Sequence, residues 1–181
     1  FREFFTNSVF KFFIASLAVA VLAVYIFVGN FKVAFFEIIS AFTTTGFSIV
    51  DINKMHVFAI MVIMLSMIVG GMLCSTAGGI KVNRLRLMFK SIPWLVKKTA
   101  SPSAAIIPLK VDGQVVDDEN MLMNYAFISS YILIIIIGTA ILLVTGLSFL
   151  DSSFQVTSAL GGVGLQTADV GVVMGLADAT E

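Results

Sequence analysis

The sequence predicts an all-α membrane protein built from repeated units of helix, re-entrant pore helix, filter loop and helix. Three observations carry that expectation. First, 59% of the 181 residues are hydrophobic and only 12% are charged, about half the charged fraction usual in a soluble domain. Residues 12–28, 55–80 and 121–150 contain no Asp, Glu, Lys or Arg, and roughly 20 apolar residues cross a bilayer as a helix. Second, residues 36–51 and 154–169 are two ungapped copies of one pattern, a constant 118 positions apart. Phe36, Ser40, Ala41, Gly46 and Asp51 recur as Phe154, Ser158, Ala159, Gly164 and Asp169. A membrane protein that repeats such a unit builds a central site from pseudo-equivalent pieces. Third, Lys81, Arg84, Arg86, Lys90, Lys97, Lys98 and Lys110 form a basic run with no acidic residue inside it. The positive-inside rule places that run in the cytoplasm, and Arg2 and Lys11 place the N-terminal end there too.

The elements follow in order. Residues 9–28 form a first spanning helix, running inside to outside, and Gly29-Asn30 ends it with a turn signal. Residues 33–43 are apolar around Glu37 and too short to span, which predicts a re-entrant helix. Thr43-Thr44-Thr45-Gly46 then favours extended backbone, and Asp51, Asn53 and Lys54 mark an extracellular stretch. Residues 55–90 return inward, with GGMLCSTAGGIK at 70–81 in their middle. Four glycines and a Ser-Thr pair in ten positions predict a break in the helix. Non-helical backbone at that depth is tolerated only when buried in protein or lining a water-filled cavity.

Residues 91–120 read as a cytoplasmic connector that holds all three prolines, Pro93, Pro102 and Pro108. Asp112-Gly113 signals a small hairpin between Ile106–Val111 and Gln114–Val116. Asp117, Asp118 and Glu119 suit the N-terminal dipole of the next spanning helix, 121–147. Asp151, Ser152 and Ser153 are expected to cap a second short helix, 152–160, followed by the Gly161–Leu165 run. The expected organisation is a first unit at 1–90, the connector at 91–120 and a second, incomplete unit at 121–181.

The chemistry of the duplicated loop follows from backbone alone. A short helix entering from outside points its C-terminal end, with partial negative charge, at the membrane centre, where a cation is favoured. The loop that follows can turn successive carbonyls inward, and rings of carbonyls replace the hydration shell of a potassium ion. The candidate filter residues are Thr44, Thr45, Gly46 and Phe47 in the first copy, with Gly162, Val163, Gly164 and Leu165 in the second. None carries a charge, and no cofactor is expected.

Other chemistry finds little support. Cys74 is the only cysteine and His56 the only histidine, so neither a disulfide framework nor a metal cluster is expected. His56 stands where a headgroup-level or helix-capping role fits. An intramembrane protease built on Ser75 or Cys74 lacks a base in the same segment. A nucleic-acid role for the basic run does not suit a segment bracketed by membrane helices.

SAFTTTGFS and SALGGVGLQ resemble the third and fourth pore loops of the Trk/Ktr/HKT superfamily of potassium transporters, and STAGGIKVNRLRL resembles the stretch in the inner helix of that family's third repeat. The resemblance covers about residues 5–90 and 121–169. It implies a four-repeat, pseudo-fourfold pore in one polypeptide, of which this chain supplies the third repeat and part of the fourth. It implies potassium uptake across the cell membrane through a carbonyl-lined filter, with the filter glycines at Gly46 and Gly164. An intramembrane gate loop would comprise Gly70, Gly71, Ser75, Thr76, Ala77, Gly78 and Gly79, with Lys81 just after it. It further implies a homodimer bound to a cytoplasmic nucleotide-binding regulatory subunit, for which Lys81–Lys98 is a candidate docking or lipid-contact face. Met72 and Cys74 depart from the family's usual Ser and Gly, and Gly162 stands where a β-branched or polar residue is frequent.

Two other readings share these residues: a sodium-conducting relative, and a non-conducting membrane scaffold. With two of four implied quadrants, the 181-residue chain alone is not expected to conduct, and residues 161–181 are expected to be poorly ordered or displaced in isolation.

Overall fold

The computed structural model describes residues 8–72, 75–101, 108–111 and 114–167. The sequence-based expectations for Arg2, Cys74, Pro102, the Asp112-Gly113 turn and Asp169 lie outside the described residues.

The first unit opens with α1 (Ser8–Val28). Gly29, at φ +71°, turns the chain, and the Asn30 side chain accepts the Lys32 N–H to start α2 (Phe31–Phe42). A single 3₁₀ turn, Ile52–Lys54, is capped by Asp51, whose carboxylate pairs with Lys54 at 3.2 Å. His56 then caps α3 (Val57–Ile68), its Nδ1 accepting the Phe58 N–H at 3.2 Å, and its ring stacks on Phe27. That is the capping role expected of it.

The segment read as 55–90 is broken as expected. After Ile68 the chain forms β1 (Val69–Gly70), loops away, and returns through β2 (Ile80–Lys81), which pairs with β1 in parallel, Val69 with Ile80 and Gly70 with Lys81. Helix then resumes as α4 (Val82–Thr99). The helix does not stop near residue 90. It runs through Pro93 to Thr99, into the stretch expected to be connector. Proline removes one i→i−4 bond and leaves the Phe89 carbonyl without its helical donor. Phe89, Ile92 and Leu95 are exposed around that point.

The connector carries the expected pairing in short form, with β3 (Lys110–Val111) antiparallel to β4 (Gln114–Val115). Then α5 (Asp118–Val144) begins three residues earlier than expected, with Asp118 and Glu119 in its first turn. The cap of α6 (Phe149–Gly161) is Ser148, not Asp151–Ser153. Ser148 Oγ accepts the Asp151 N–H at 3.2 Å and donates to Asp151 Oδ2 at 2.6 Å. The acid sits three residues inside the cap, as in a capping box, so the helix starts one turn early.

Helices α1 and α5 are each long and apolar enough to cross a membrane. They present large exposed apolar side chains such as Val19, Ile26, Leu133, Ile136 and Ile141, a pattern that suits lipid rather than water. The protein-facing core gathers where α1, α2 and α3 meet, around Val24, Ala34, Ile38, Ile63 and Met67. Phe154 of α6 and Val163 and Leu165 beyond it join the same core. The two units therefore share one core, and residues 161–167 pack into it rather than being displaced.

Candidate functional site

The two short helices end alike. In the first copy, Thr44 N–H bonds the Ala41 carbonyl at 3.2 Å and Thr45 N–H bonds Ser40 at 2.9 Å. In the second, Gly162 N–H bonds Ala159 at 3.1 Å and Val163 N–H bonds Ser158 at 2.9 Å. This pair of bonds is a Schellman cap, which needs a left-handed residue at its turn. Thr44 (φ +54°) and Gly162 (φ +65°) supply it, and Gly46 (φ +77°) and Gly164 (φ +89°) follow two residues later. The duplication read in the letters is thus a duplication of the cap and of the left-handed positions that follow it. It also shows what TTTG and GGVG do locally: Thr44 and Gly162 end their helices before anything else.

The loops touch each other at their glycines. A Cβ on Gly46 would lie 1.8 Å from the Val163 carbonyl oxygen, so only glycine permits this approach at this φ. In the first copy Ser40 Oγ donates to the Phe47 carbonyl at 2.6 Å, tying that carbonyl to α2. In the second copy Ser158 Oγ accepts the Gly164 N–H at 3.1 Å. The Phe47 ring is exposed, whereas Leu165 is buried.

Glu37 holds the far side of the first loop. It is fully buried, and its Oε1 accepts the Ser48 hydroxyl at 2.8 Å and the Ile49 N–H at 2.9 Å. Its Oε2 has no hydrogen-bond partner among the described residues. Sequence reading noted Glu37 only as an interruption, yet a carboxylate inside an apolar segment is itself the signal of a structural or functional demand.

The broken segment lies against both capped loops. Gly78 N–H donates to Thr44 Oγ1 at 3.3 Å, and a Cβ on Gly78 would meet the Gly161 carbonyl oxygen at 2.0 Å. Within the segment, Ser75 N–H and Oγ both donate to the Met72 carbonyl, at 3.0 and 2.7 Å. A Cβ on Gly70 would lie 1.7 Å from the Gly78 carbonyl oxygen, and one on Gly71 would lie 2.6 Å from Ser75 Oγ. The glycines thus allow the loop to fold on itself and against the two capped loops. Gly79 adopts φ +75°, Ala77 is buried and Thr76 is exposed.

Lys81 belongs to this loop. Its Nζ donates to the Ser75 carbonyl at 2.8 Å and also to the Ala77 carbonyl. The basic run is therefore not one docking face. Lys81 turns inward, Arg84 lies over the Phe127 ring at 4.0 Å, and Arg86 is buried and donates to Ser8 Oγ at 2.6 Å. Charges that look alike in sequence separate once α4 turns them to different neighbours. Asn124 Nδ2, donating to the Arg84 carbonyl at 3.1 Å, ties α5 to this end of α4.

Among the described residues no group of three or more His, Cys, Asp or Glu side chains could hold a metal ion. The candidate ion ligands remain backbone carbonyls. The family model described as "TrkH: Cation transport protein" matches residues 3–171. The chain belongs to this family of cation transport proteins. It is a transporter family, not an enzyme family, and its resemblance to the wider Trk/Ktr/HKT superfamily is upheld. The chain is 28% identical over 131 residues to the Trk system potassium uptake protein TrkH of Escherichia coli K12, covering 72% of this chain and 27% of that protein. It is 29% identical over 137 residues to TrkG of the same organism, covering 76% of this chain and 28% of that protein. The fold matches the crystal structure of the potassium transporter TrkH from Vibrio parahaemolyticus with a TM-score of 0.74 at 22% identity, over 96% of this chain and 41% of that one. The chain thus spans between a quarter and a third of the length of the curated relatives it matches.

Proposed function

We propose that this chain forms part of a potassium uptake pathway across the cell membrane. Ions would be selected by the carbonyls of Thr44, Thr45 and Gly46 with those of Gly162, Val163 and Gly164, and gated by the loop Gly70–Gly79. The observation that carries this reading is the paired backbone. Two loops with matching left-handed residues meet at Gly46 and Val163, and the broken segment lies against both. Carbonyl coordination needs that conformational freedom and no charged side chain. Relatives named as potassium uptake proteins support the choice of ion.

In this reading Phe47 and Leu165 shape the mouth of the filter rather than bind the ion, because the Phe47 carbonyl is engaged by Ser40. Residues 1–90 and 121–181 act as the third and part of the fourth of four pore units. The whole transporter is a homodimer with a cytoplasmic nucleotide-binding subunit. The N-terminal end and residues 81–120 lie inside, and the filter loops are entered from outside.

The test is rubidium uptake by liposomes containing the full-length protein. Saturable uptake, competed by potassium and far less by sodium, is expected. Equal competition by sodium would favour a sodium-conducting relative, and no uptake would favour a scaffold.

A further inference from the structure

Tyr131 stands where the broken segment, the end of α3 and the second capped loop converge. It is buried on α5, its ring packing with Ile128 and with Ile80 of β2 and stacking on Phe127 at 6.3 Å. The ring is therefore fixed against the returning arm of the broken segment. Its hydroxyl is buried too, and has no hydrogen-bond partner among the described residues. Phenylalanine would fill the same place with no polar atom to satisfy. A buried hydroxyl left unpaired is costly, and a membrane segment offers no bulk water to pair it. Such a cost in one arrangement of a protein calls for an explanation, and a partner in another arrangement supplies one.

That partner stands across Gly161. A Cβ on Gly161 would lie 3.9 Å from the Tyr131 hydroxyl and 3.3 Å from the Met67 carbonyl oxygen. A donor and an acceptor thus border the space that a side chain at 161 would enter. Met67 is in the last turn of α3, which ends at Ile68. The helical donor to its carbonyl would be the N–H of Gly71, four residues on, but Gly71 lies past β1 and folds against Ser75. Gly79 covers the Met67 carbonyl instead: a Cβ there would be 2.9 Å from the Met67 oxygen and 2.7 Å from that of Ile68. The neighbouring Gly78 lies against the Gly161 carbonyl and donates to Thr44 Oγ1. Gly78 and Gly79 therefore cover the end of α3 and touch both capped loops at once.

We propose that Tyr131 is a positioning residue of the gate. When Gly78 and Gly79 withdraw from the two capped loops, the Met67 carbonyl is uncovered and the Tyr131 hydroxyl donates to it across Gly161. That bond exists only in the withdrawn arrangement, so it favours that arrangement. Lys81 acts in the opposite sense, because its ammonium donates to the Ser75 and Ala77 carbonyls in the arrangement described here. One side chain holds the segment in place, and the other stabilises the state in which it has left. A residue without a side chain at 161 lets the two groups meet. This role rests on the reading of Gly70–Gly79 as a gate. It adds a residue, outside both the loops and the segment, that sets how much of the time the gate is open.

The test is rubidium flux through liposomes containing the full-length protein, with thermal unfolding in detergent measured alongside. Tyr131→Phe keeps the ring and removes only the hydroxyl. Flux is expected to fall about fivefold, the population shift that one lost hydrogen bond gives. The melting temperature should hold or rise, because the arrangement described here loses no bond. In a Lys81→Met background the same substitution should again lower flux about fivefold, since the two side chains act on different states. Flux unchanged or raised by Tyr131→Phe, where Lys81→Met conducts faster than the parent, would overturn the proposal and leave the gate standing. A fall in flux and melting temperature together would overturn it too, by showing that the hydroxyl is already bonded in the resting fold. If neither substitution alters flux, the gate reading falls and this role falls with it.

Discussion

The two copies of the duplicated loop reach matching helix caps with different side-chain bracing. The first is held by side chains. Glu37 grips Ser48 and Ile49, Ser40 grips Phe47, and Thr43 Oγ1 bonds both the Ile39 carbonyl and Thr45 Oγ1 at 2.7 Å. The second has Gln155, Gly161 and Val163 at the positions of Glu37, Thr43 and Thr45, and so lacks both the carboxylate and the hydroxyls. What it gains is room: the Gly78 backbone lies directly against the Gly161 carbonyl. The first copy is braced by a carboxylate and hydroxyls, the second keeps Ser158 Oγ on the Gly164 N–H, and Gly78 of the broken segment meets both. A pseudo-symmetric site need not be symmetric in how it is stabilised, only in the backbone it presents.

The comparison can be broken most forcefully at Glu37. Glu37→Ala removes the buried acceptor shared by the Ser48 hydroxyl and the Ile49 N–H and opens a cavity, an expected loss of about 3 kcal/mol. Glu37→Gln keeps one acceptor and should recover about half of it. Gln155→Ala should cost clearly less than Glu37→Ala. Thermal unfolding in detergent ranks the three, and equal losses at 37 and 155 would show that the copies are braced alike.

The glycines give a sharper contrast. Gly46→Ala must accommodate a Cβ against the Val163 carbonyl as well as a positive φ, while Gly164→Ala meets nothing within 4 Å and bears only the strain of its φ of +89°. The expected losses are about 3 kcal/mol for the first and about 1 kcal/mol for the second. A ranking in the other direction would mean that the loops do not meet as described.

Lys81→Met removes a charged donor from the Ser75 and Ala77 carbonyls, worth about 2 kcal/mol. If the loop gates, rubidium flux through the variant should rise. Unaltered flux would leave the loop a packing feature. The smallest effect is expected at Thr44→Gly. Relief of a left-handed threonine, about 1 kcal/mol, offsets loss of the hydroxyl that accepts Gly78 N–H. Its melting temperature should barely move, and a large drop would make that hydroxyl the main tie between filter and loop.

Much of this was legible before any coordinates. The charge-free stretches located α1 and α5, because lipid tolerates few other compositions. The glycine density at 70–79 located the break, because helix propensity cannot survive it. The matched letters at 36–51 and 154–169 located the paired loops.

What stayed hidden depended on direction rather than composition. Ser148 and the serines after α6 begins are all acceptable caps, and only the bond to Asp151 distinguishes them. Residues from 91 on read as connector, yet α4 continues through Pro93 with one bond missing. The basic run reads as one face because sequence does not show that Lys81 turns into the loop, Arg84 over Phe127 and Arg86 toward Ser8. Thr44 reads as a filter residue, and its first task proves to be ending a helix.

The central claim is that the paired loops select the ion through their backbone. The most direct test is the sodium sensitivity of rubidium uptake by the full-length protein carrying Gly46→Ser, in liposomes, with folded protein confirmed by its melting transition. The account predicts that uptake persists while discrimination against sodium falls about tenfold or more, because a side chain at this position pushes the Val163 carbonyl out of place. Unchanged discrimination in a folded, active Gly46→Ser protein would contradict it.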